Sequence, residues 1–504
     1  MKMAGWIEKQ RMYWVDWAIA LSLFFLLSSV YYATASGITS SNDGSHYALI
    51  RTLVENHTFA LEQFDDYAEG NDIAITEDGR LFSDRPPGTA LAGALFYLGS
   101  AVFPEPLQEL PSRHDAQNPR LAYVLMLPAL AGAGTAVVLY AIMRMLAINR
   151  IAAVTAVLVF GLGTVHWKYS SVLFSHALSA FLVILTVYLA MRLARQGGAR
   201  AIVFGLLGFL LGFSVLTEYS NGLLVIILLG YLLLADRSKE RRDLVGSFGL
   251  LIAGGLISVF FLAFYNNVNF GSPLKLSYSY AINYPWAGSF GTTFNYPIGE
   301  GLKGLLIGGT GDGWCGGPPC PNQGLFQLSP ILLLAIPGWY FYYRVARREC
   351  LLTAVIFLVY LLLFARHRTF HGFTADGRYL TPYLGLLAIP LAYTLQWIMA
   401  LKSRPYLRMI LLATAVGLFL LSVGNMILHI GVSYNYHLDP QSIEGPLFMP
   451  GNIMPILGEV FLNIRNLPLL WVVEFVIIFL IIGTFIGTVV ILHNVAKGLL
   501  KEPG

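Results

Sequence analysis

Asp43 is the first carboxylate after a long apolar run, in the segment TSSNDGSHYALIRTLVENHTF. Ser40, Ser41 and Asp43 precede a helical pattern with Tyr47, Ile50, Leu53 and Val54 on one face. A carboxylate there can cap the helix N-terminus. Held at a membrane surface it can instead take a proton as a general base. Arg85 follows in DGRLFSDRPPGTA, ahead of two prolines that force an extended turn. Its planar fork suits a phosphate, and pairing with Asp84 is the structural alternative. A third cluster, ARHRTFHGFTADGRYLTPYL, gathers Arg366, His367, Arg368, His371, Asp376 and Arg378. It predicts a cationic patch for a lipid-linked phosphate, or a structural Asp376–Arg378 pair with the other groups on lipid headgroups. Glu218, in VLTEYSNG, is an ionisable residue beside hydrocarbon and a functional candidate on that ground. His46, Tyr47, His176, Glu218, His371 and Tyr379 are candidate substrate contacts.

What must position these groups is a membrane bundle. Of 504 residues 56% are hydrophobic and 12% charged, half the charge of an ordinary soluble domain. The predicted spans are Trp14–Ser36, Leu121–Leu146, Ile151–His166, His176–Arg195, Ala201–Thr217, Asn221–Asp236, Leu244–Asn266, Gln327–Arg344, Cys350–Arg366, Tyr379–Leu401, Leu407–Gly431 and Pro468–His493. Trp14–Ser36 is longer than a signal-peptide core and reads as a retained span.

Gly88–Phe103 is apolar but short, and charge decides its place. If it does not span, seven basic groups share one side. They are Lys2/Lys9/Arg11, Arg144/Arg150, Arg192/Arg195/Arg200, Arg237/Lys239/Arg241/Arg242, Arg344/Arg347/Arg348, Lys402/Arg404/Arg408 and Lys497/Lys501. Those groups hold 20 of the 32 Lys and Arg, which places both termini in the cytoplasm. Gly88–Phe103 is then an interfacial or re-entrant helix on the outer face. The long loops, 37–120, 267–324, 365–378 and 432–467, are extracytoplasmic in this topology, in a plasma (inner) membrane. The expected fold is an all-α polytopic membrane protein of about twelve spans with juxtamembrane helices outside. Residues 1–400, including the first outer loop 37–120, are expected to form one transmembrane module, and residues 401–504 carry the last helices and the loop 432–467.

The same topology exposes Cys315 and Cys320 to an oxidising compartment, so they are a disulfide candidate, with two lone thiols as the alternative. Cys350 falls on the reducing side. Asn56-His57-Thr58 is a glycosylation sequon, relevant only in a eukaryotic secretory membrane. No metal-ligand spacing is present, so no metal or cofactor is expected. The span interiors are nearly free of charge and no repeat is evident, which speaks against a transporter or lipid flippase; a non-catalytic scaffold stays open. Nothing suggests nucleic acid as a partner.

Five segments, in this order, resemble GT-C glycosyltransferases similar to protein O-mannosyltransferases and lipid A aminoarabinose transferases. They are NDGSHYALIR, SDRPPGTAL, YNNVNFGSPLKLSY, GLFQLSPILLLAIPG and GFTADGRYLTPYLGLL, within a resemblance that runs from about Trp14 to Ala400. The resemblance implies an inverting transfer of a sugar from a polyprenyl-phosphate carrier to an acceptor hydroxyl of a glycan, lipid or protein. It makes the module of residues 1–400 the catalytic one, and it implies Asp43 as the base, Arg85 on the carrier's phosphate and Arg378 as a second phosphate or loop anchor. Two departures stand out. Gly44 follows Asp43 where the mannosyltransferases have Glu, and the loop VHWKYSSVLFSHA holds no carboxylate, unlike the metal-binding loop of oligosaccharyltransferases. His166, Lys168 and His176 in that loop are left without a role.

Overall fold

The computed structural model describes residues 2–35, 37–102, 120–195, 201–235, 241–311, 320–372, 374 and 376–431. The last predicted span, the loop 432–467 and Cys315 lie outside the described residues.

The first half opens with α1 (Lys2–Ala33), α2 (Ser41–Arg51), the strands β1 (Ile73–Ile75) and β2 (Leu81–Ser83), and α3 (Gly88–Gly99). There follow α4 (Leu121–Val124), α5 (Met126–Met145), α6 (Arg150–Leu162), α7 (His166–Tyr169), α8 (Ser175–Arg195), α9 (Ala201–Thr217), α10 (Gly222–Ala235) and α11 (Arg241–Phe270). The second half holds α12 (Phe290–Thr293), α13 (Ile298–Leu306), β3 (Gly308–Gly311), β4 (Cys320–Gln323), α14 (Leu325–Leu328), α15 (Ala335–Val345), α16 (Arg347–Ala365), α17 (Gly385–Ala400) and α18 (Pro405–Gly431).

Among the described residues, six helical segments are long and apolar enough to cross a bilayer: Trp14–Tyr32, Leu121–Met145, Ser175–Arg195, Val245–Phe270, Arg347–Ala365 and Pro405–Ile427. Five more apolar helices of 10–17 residues include α3, which at ~1.5 Å per residue spans only ~18 Å. The chain is thus a multi-pass membrane protein. Two predicted spans are shorter or broken where proline intervenes. Residues 327–344 divide at Ser329-Pro330 into α14, a 3-10 turn Pro330–Leu334 and α15. Residues 379–401 begin as a 3-10 turn, Arg378–Tyr383, with Pro382 inside it, and become α-helical only at Gly385.

In lipid, helices associate through close packing of small residues rather than through burial from water. The α9–α11 pair is built this way. A Cβ on Gly208 would lie 1.8 Å from the Leu251 carbonyl oxygen, and one on Gly254 2.0 Å from that of Gly205. The α15–α17 pair combines Gly338 against the Pro390 carbonyl with stacked Tyr342–Tyr393 and Phe341–Trp397 rings.

Charge collects at the two ends of the bundle. At one end Asp16 of α1 accepts from Tyr140 (2.7 Å), Arg144 (3.1 Å) and Arg150 (2.8 Å), and Arg195 pairs with Glu349 at 2.6 Å. The other end is reached along α8, about 30 Å away by helical rise, and carries the loops. There α2 lies against the β1–β2 hairpin, whose tight turn uses Gly79 at φ +84. Ser45 of α2 donates to the Asp72 carbonyl at 2.8 Å and shares a 2.7 Å hydrogen bond with Ser83 of β2. Gly88, the first residue of α3, abuts the backbone of Leu216 at the end of α9.

The helix–helix approach yields a test. Gly208→Ala puts a methyl into the Leu251 backbone and should destabilise the protein by roughly 1–3 kcal/mol, against less than about 0.5 kcal/mol for Gly230→Ala, whose Cβ meets open space. Equal melting temperatures for the two variants in detergent would refute this packing.

Candidate active site

The loop end of the bundle encloses a cavity of about 490 Å³. That size suits a ligand held by a few polar groups in an apolar wall. Its polar side is made by Asn42, Asp84, Arg85, His176, Glu218 and Arg378. Its other walls are aromatic and apolar, with Trp286, Phe290, Phe294, Phe364, Tyr379 and Leu363 among them.

Several loops meet to form it. The Pro86-Pro87 pair turns the chain from β2 into α3, leaving Arg85 at the rim of the hairpin. Ser277 donates to the Asp84 carbonyl at 2.7 Å, and the Ile282 amide donates to Ile73 at 3.1 Å. The segment around α12 is tied on its far side to the loop before α17. The Arg368 amide donates to Thr293 at 2.7 Å, the Arg366 guanidinium to the Phe294 carbonyl at 3.1 Å, and Arg368 lies over the Trp286 ring.

Two carboxylates face the cavity, and their environments differ. Asp84 is fully buried, and among the described residues neither of its oxygens has a hydrogen-bond partner. Arg85 Nε stands 3.1 Å from its Oδ1 without hydrogen-bond alignment. Burial pushes its pKa up to about 7, against the opposing charge of Arg378. Burial also acts on Glu218, but the neighbouring His176, a hydrogen bond from Ser175 and the charge of Arg85 outweigh it and hold the group below its ordinary value. His176 Nδ1 is 3.5 Å from Glu218 Oε1. Two carboxyl groups whose pKa values are driven apart are the usual arrangement for an acid–base role.

Arg85 contacts both Asp72 and Asp84, so its expected pairing with Asp84 and its place on the cavity hold together. Asp72 also accepts from Ser41 at 2.5 Å and sits at φ +50, a conformation uncommon for a residue with a side chain. Arg378 lines the cavity with its guanidinium 5.2 Å above the Phe174 ring.

Asp43 sits elsewhere. It is fully buried and does not line the cavity. Its two oxygens accept from the Thr39 amide (2.7 Å), the Thr39 hydroxyl (2.9 Å), the Ser40 amide (2.8 Å) and the Ser40 hydroxyl (2.9 Å). This is the capping alternative, with Asp43 closing a capping box at the start of α2. Gly44 has its own reason: a Cβ there would stand 1.8 Å from the Tyr67 carbonyl oxygen, so a glutamate cannot follow Asp43 in this packing.

Other expectations are redistributed. Tyr47 turns away from the cavity into a cluster with Tyr67 and Tyr97. His46 is fully buried behind the cavity, its pKa lowered by burial and by Arg85 to about 3. The cationic patch between Arg366 and Arg378 does not form as one. Burial lowers His367 and His371 to about 4, leaving both neutral at pH 7, while Arg366 and Arg368 tie down the neighbouring loop. Of that patch, His367 and Arg378 line the cavity, and Tyr379 lines it beside them. Asp376 pairs with Lys168 at 2.6 Å, the residue that had no role. His166 stacks on Phe160 at 4.3 Å and contacts the Gly132 carbonyl at 3.2 Å, inside the core. Asn42 and Trp286 are cavity residues that the sequence did not single out as functional, and Asp84 stood out there only as a partner for Arg85. Asp84 had one signal, its place directly before Arg85 and the prolines. Among the described residues no group of three His, Cys, Asp or Glu side chains is placed to hold a metal ion. With Cys315 outside the described residues, its pairing with Cys320 lies outside them too.

No protein-family model and no curated protein matches the chain. Solved structures do. ArnT from Cupriavidus metallidurans, bound to undecaprenyl phosphate, is 13% identical, with 90% of this chain and 76% of that one covered at a TM-score of 0.49. The archaeal oligosaccharyltransferase AglB from Archaeoglobus fulgidus, in complex with an inhibitory peptide and a dolichol-phosphate, is 14% identical at a TM-score of 0.51. That match covers 87% of this chain but 62% of AglB, so the chain spans less than two thirds of the oligosaccharyltransferase. With its apolar bundle and its cavity among the loops, the chain has the fold of the GT-C glycosyltransferases, the superfamily its motifs resemble.

Proposed function

We propose that the protein is an inverting glycosyltransferase that moves a sugar from a polyprenyl-phosphate carrier to an acceptor hydroxyl. The observation that carries this reading is one partly open cavity that joins two arginines and two carboxylates to an aromatic wall at the end of an apolar bundle. A lipid-linked donor is insoluble and enters from the bilayer, so its phosphate needs cations at that depth. Arg378 and Arg85 supply them. The dolichol-phosphate of AglB, a protein of the same fold, supports a carrier of this class.

In the proposed reaction the acceptor oxygen bonds to the anomeric carbon as the bond from that carbon to the carrier's phosphate oxygen breaks. The acceptor proton passes to a carboxylate, and the departing phosphate's negative charge is stabilised by the arginines. A single displacement inverts the anomeric centre. We assign the base to Asp84 rather than Asp43, because Asp84 belongs to the cavity lining and its oxygens, buried beneath that wall, accept no hydrogen bond among the described residues, so a side-chain rotation can bring one to the acceptor, whereas the oxygens of Asp43 are occupied by the cap. Glu218, held ionised, orients His176 and the substrate. The positive-inside count puts the cavity on the extracytoplasmic face and both termini in the cytoplasm. The sugar can be a hexose or a pentose, and no metal enters the scheme.

Transfer from a labelled polyprenyl-phosphate sugar, with release of the lipid phosphate, tests the class; lipid movement without cleavage would instead indicate a flippase. Asp84→Asn should lower kcat by about 10²–10⁴-fold with donor affinity retained. Asp43→Asn should act mainly on stability, by about 1 kcal/mol through the lost cap. The opposite pattern returns the base to Asp43.

As Asp84 accepts a proton only when ionised, kcat/KM should rise with pH through about 7 and level off above it. A flat profile between pH 5.5 and 8.5 would remove Asp84 from that role. Arg85→Ala should weaken carrier binding and also cost roughly 3–5 kcal/mol of stability, since it leaves Asp72 and Asp84 buried without their counter-ion. Unchanged thermal unfolding together with unchanged donor affinity would exclude both effects.

A further inference from the structure

We infer that Lys168 is a positioning residue: by holding Asp376 it fixes Arg378 in the cavity. This rests on the proposed reading for what Arg378 binds, but not for how Arg378 is held. Lys168 Nζ lies 2.6 Å from Asp376 Oδ2. The hydroxyls of Tyr169 (2.9 Å) and Thr374 (2.6 Å) donate to Oδ1. Lys168 is 7% exposed and Asp376 5%, so the pair is out of water. A buried ion pair adds little net stability over well-packed apolar residues, and its best-attested use is to specify one arrangement.

Here the arrangement is that of two loops. Lys168 and Tyr169 belong to α7, between α6 and α8, and Asp376 to the segment before α17. From Asp376 the chain passes through Gly377, in the left-handed region at φ +56, directly into Arg378 at the head of the 3-10 turn. Fixing the carboxylate of Asp376 therefore fixes the start of that turn. The loop that carries Lys168 holds Arg378 a second time through Phe174, whose ring lies under the guanidinium at 5.2 Å. Gly372 backs the same side chain: a Cβ there would stand 2.8 Å from Arg378 Nε. The charged head of Arg378 is thus set from the VHWKYSSVLFSHA loop, which itself brings no carboxylate to the cavity.

The full chain in lipid nanodiscs, as wild type, Lys168→Met, Lys168→Arg and Tyr169→Phe, decides the matter with two readouts. One is the rate at which phenylglyoxal modifies Arg378, followed by peptide mass spectrometry. The other is the binding of undecaprenyl phosphate compared with uncharged undecaprenol. Lys168→Met should speed modification of Arg378 several-fold and weaken undecaprenyl phosphate about tenfold or more, leaving undecaprenol unchanged. Lys168→Arg should restore both. Modification of Arg378 at the wild-type rate in Lys168→Met overturns the inference, and so does faster modification with undiminished preference for the phosphate. If the wild type does not prefer the phosphate over the alcohol, the lipid-phosphate reading fails, and the modification rate alone decides whether Lys168 holds Arg378. Should Lys168→Met not fold, Tyr169→Phe, which removes one of three donors from Asp376, carries the same two outcomes at smaller amplitude.

Discussion

Arg85 enters the cavity with Asp72 and Asp84 around it, and that compensation of buried charge constrains everything near it. An isolated ion out of water costs several kcal/mol, so each charged group at this end of the bundle must be placed with its partner. Asp72 comes from the turn before β1 and Asp84 from the end of β2, so the hairpin has to fold back on itself for Arg85 to be tolerated. Ser41 and Ser45 of α2 bind Asp72 in turn, through its side chain and its carbonyl. The stretch from α2 to the proline pair is therefore a single unit organised around one guanidinium. A second unit, Lys168 with Asp376, does the same for the loop before α17.

The bundle gives these loops a platform. Glycine contacts bring α9 against α11, and the end of α9 receives Gly88 at the start of α3. This sets the residue after the proline pair beside Glu218. The segment that follows α11 then bridges the hairpin and the loop before α17, covering the cavity with Trp286, Phe290 and Phe294. Polar groups from five separate stretches of chain are gathered beneath an aromatic cover, and the apolar helices below keep water out of their pairings.

Burial makes the chemistry selective. Asp84 and Glu218 line one cavity, but Glu218 accepts a hydrogen bond from Ser175 and has His176 Nδ1 at 3.5 Å, while the oxygens of Asp84 have no donor among the described residues. The first is held charged and the second near the point of ionisation at neutral pH. His46, His367 and His371 are neutral through burial and add no cationic charge at neutral pH. The arginines consequently carry the positive potential of the site.

The sequence by itself determined the membrane class, the long outer and short basic loops it predicts, and the short helix after the proline pair. These depend on composition, on run length and on where lysine and arginine fall, all of which are local properties. It also marked Arg85, Arg378 and Glu218, because charge beside long apolar runs is conspicuous. Only the tertiary structure decided the partners. Asp376 and Arg378 are two residues apart and read as a pair, yet Asp376 bonds to Lys168, over two hundred positions earlier in the chain. Asp43 reads from its spacing as a helix cap and from the family resemblance as a base, and only the tertiary structure shows the hydroxyls and amides of Thr39 and Ser40 closing on its oxygens. Asp84 reads as the lesser half of a salt bridge, and the burial on which its proposed role rests is imposed by several distant loops together. Which carboxylate is free to react depends on desolvation and hydrogen bonding by residues remote in sequence, and no local pattern records that.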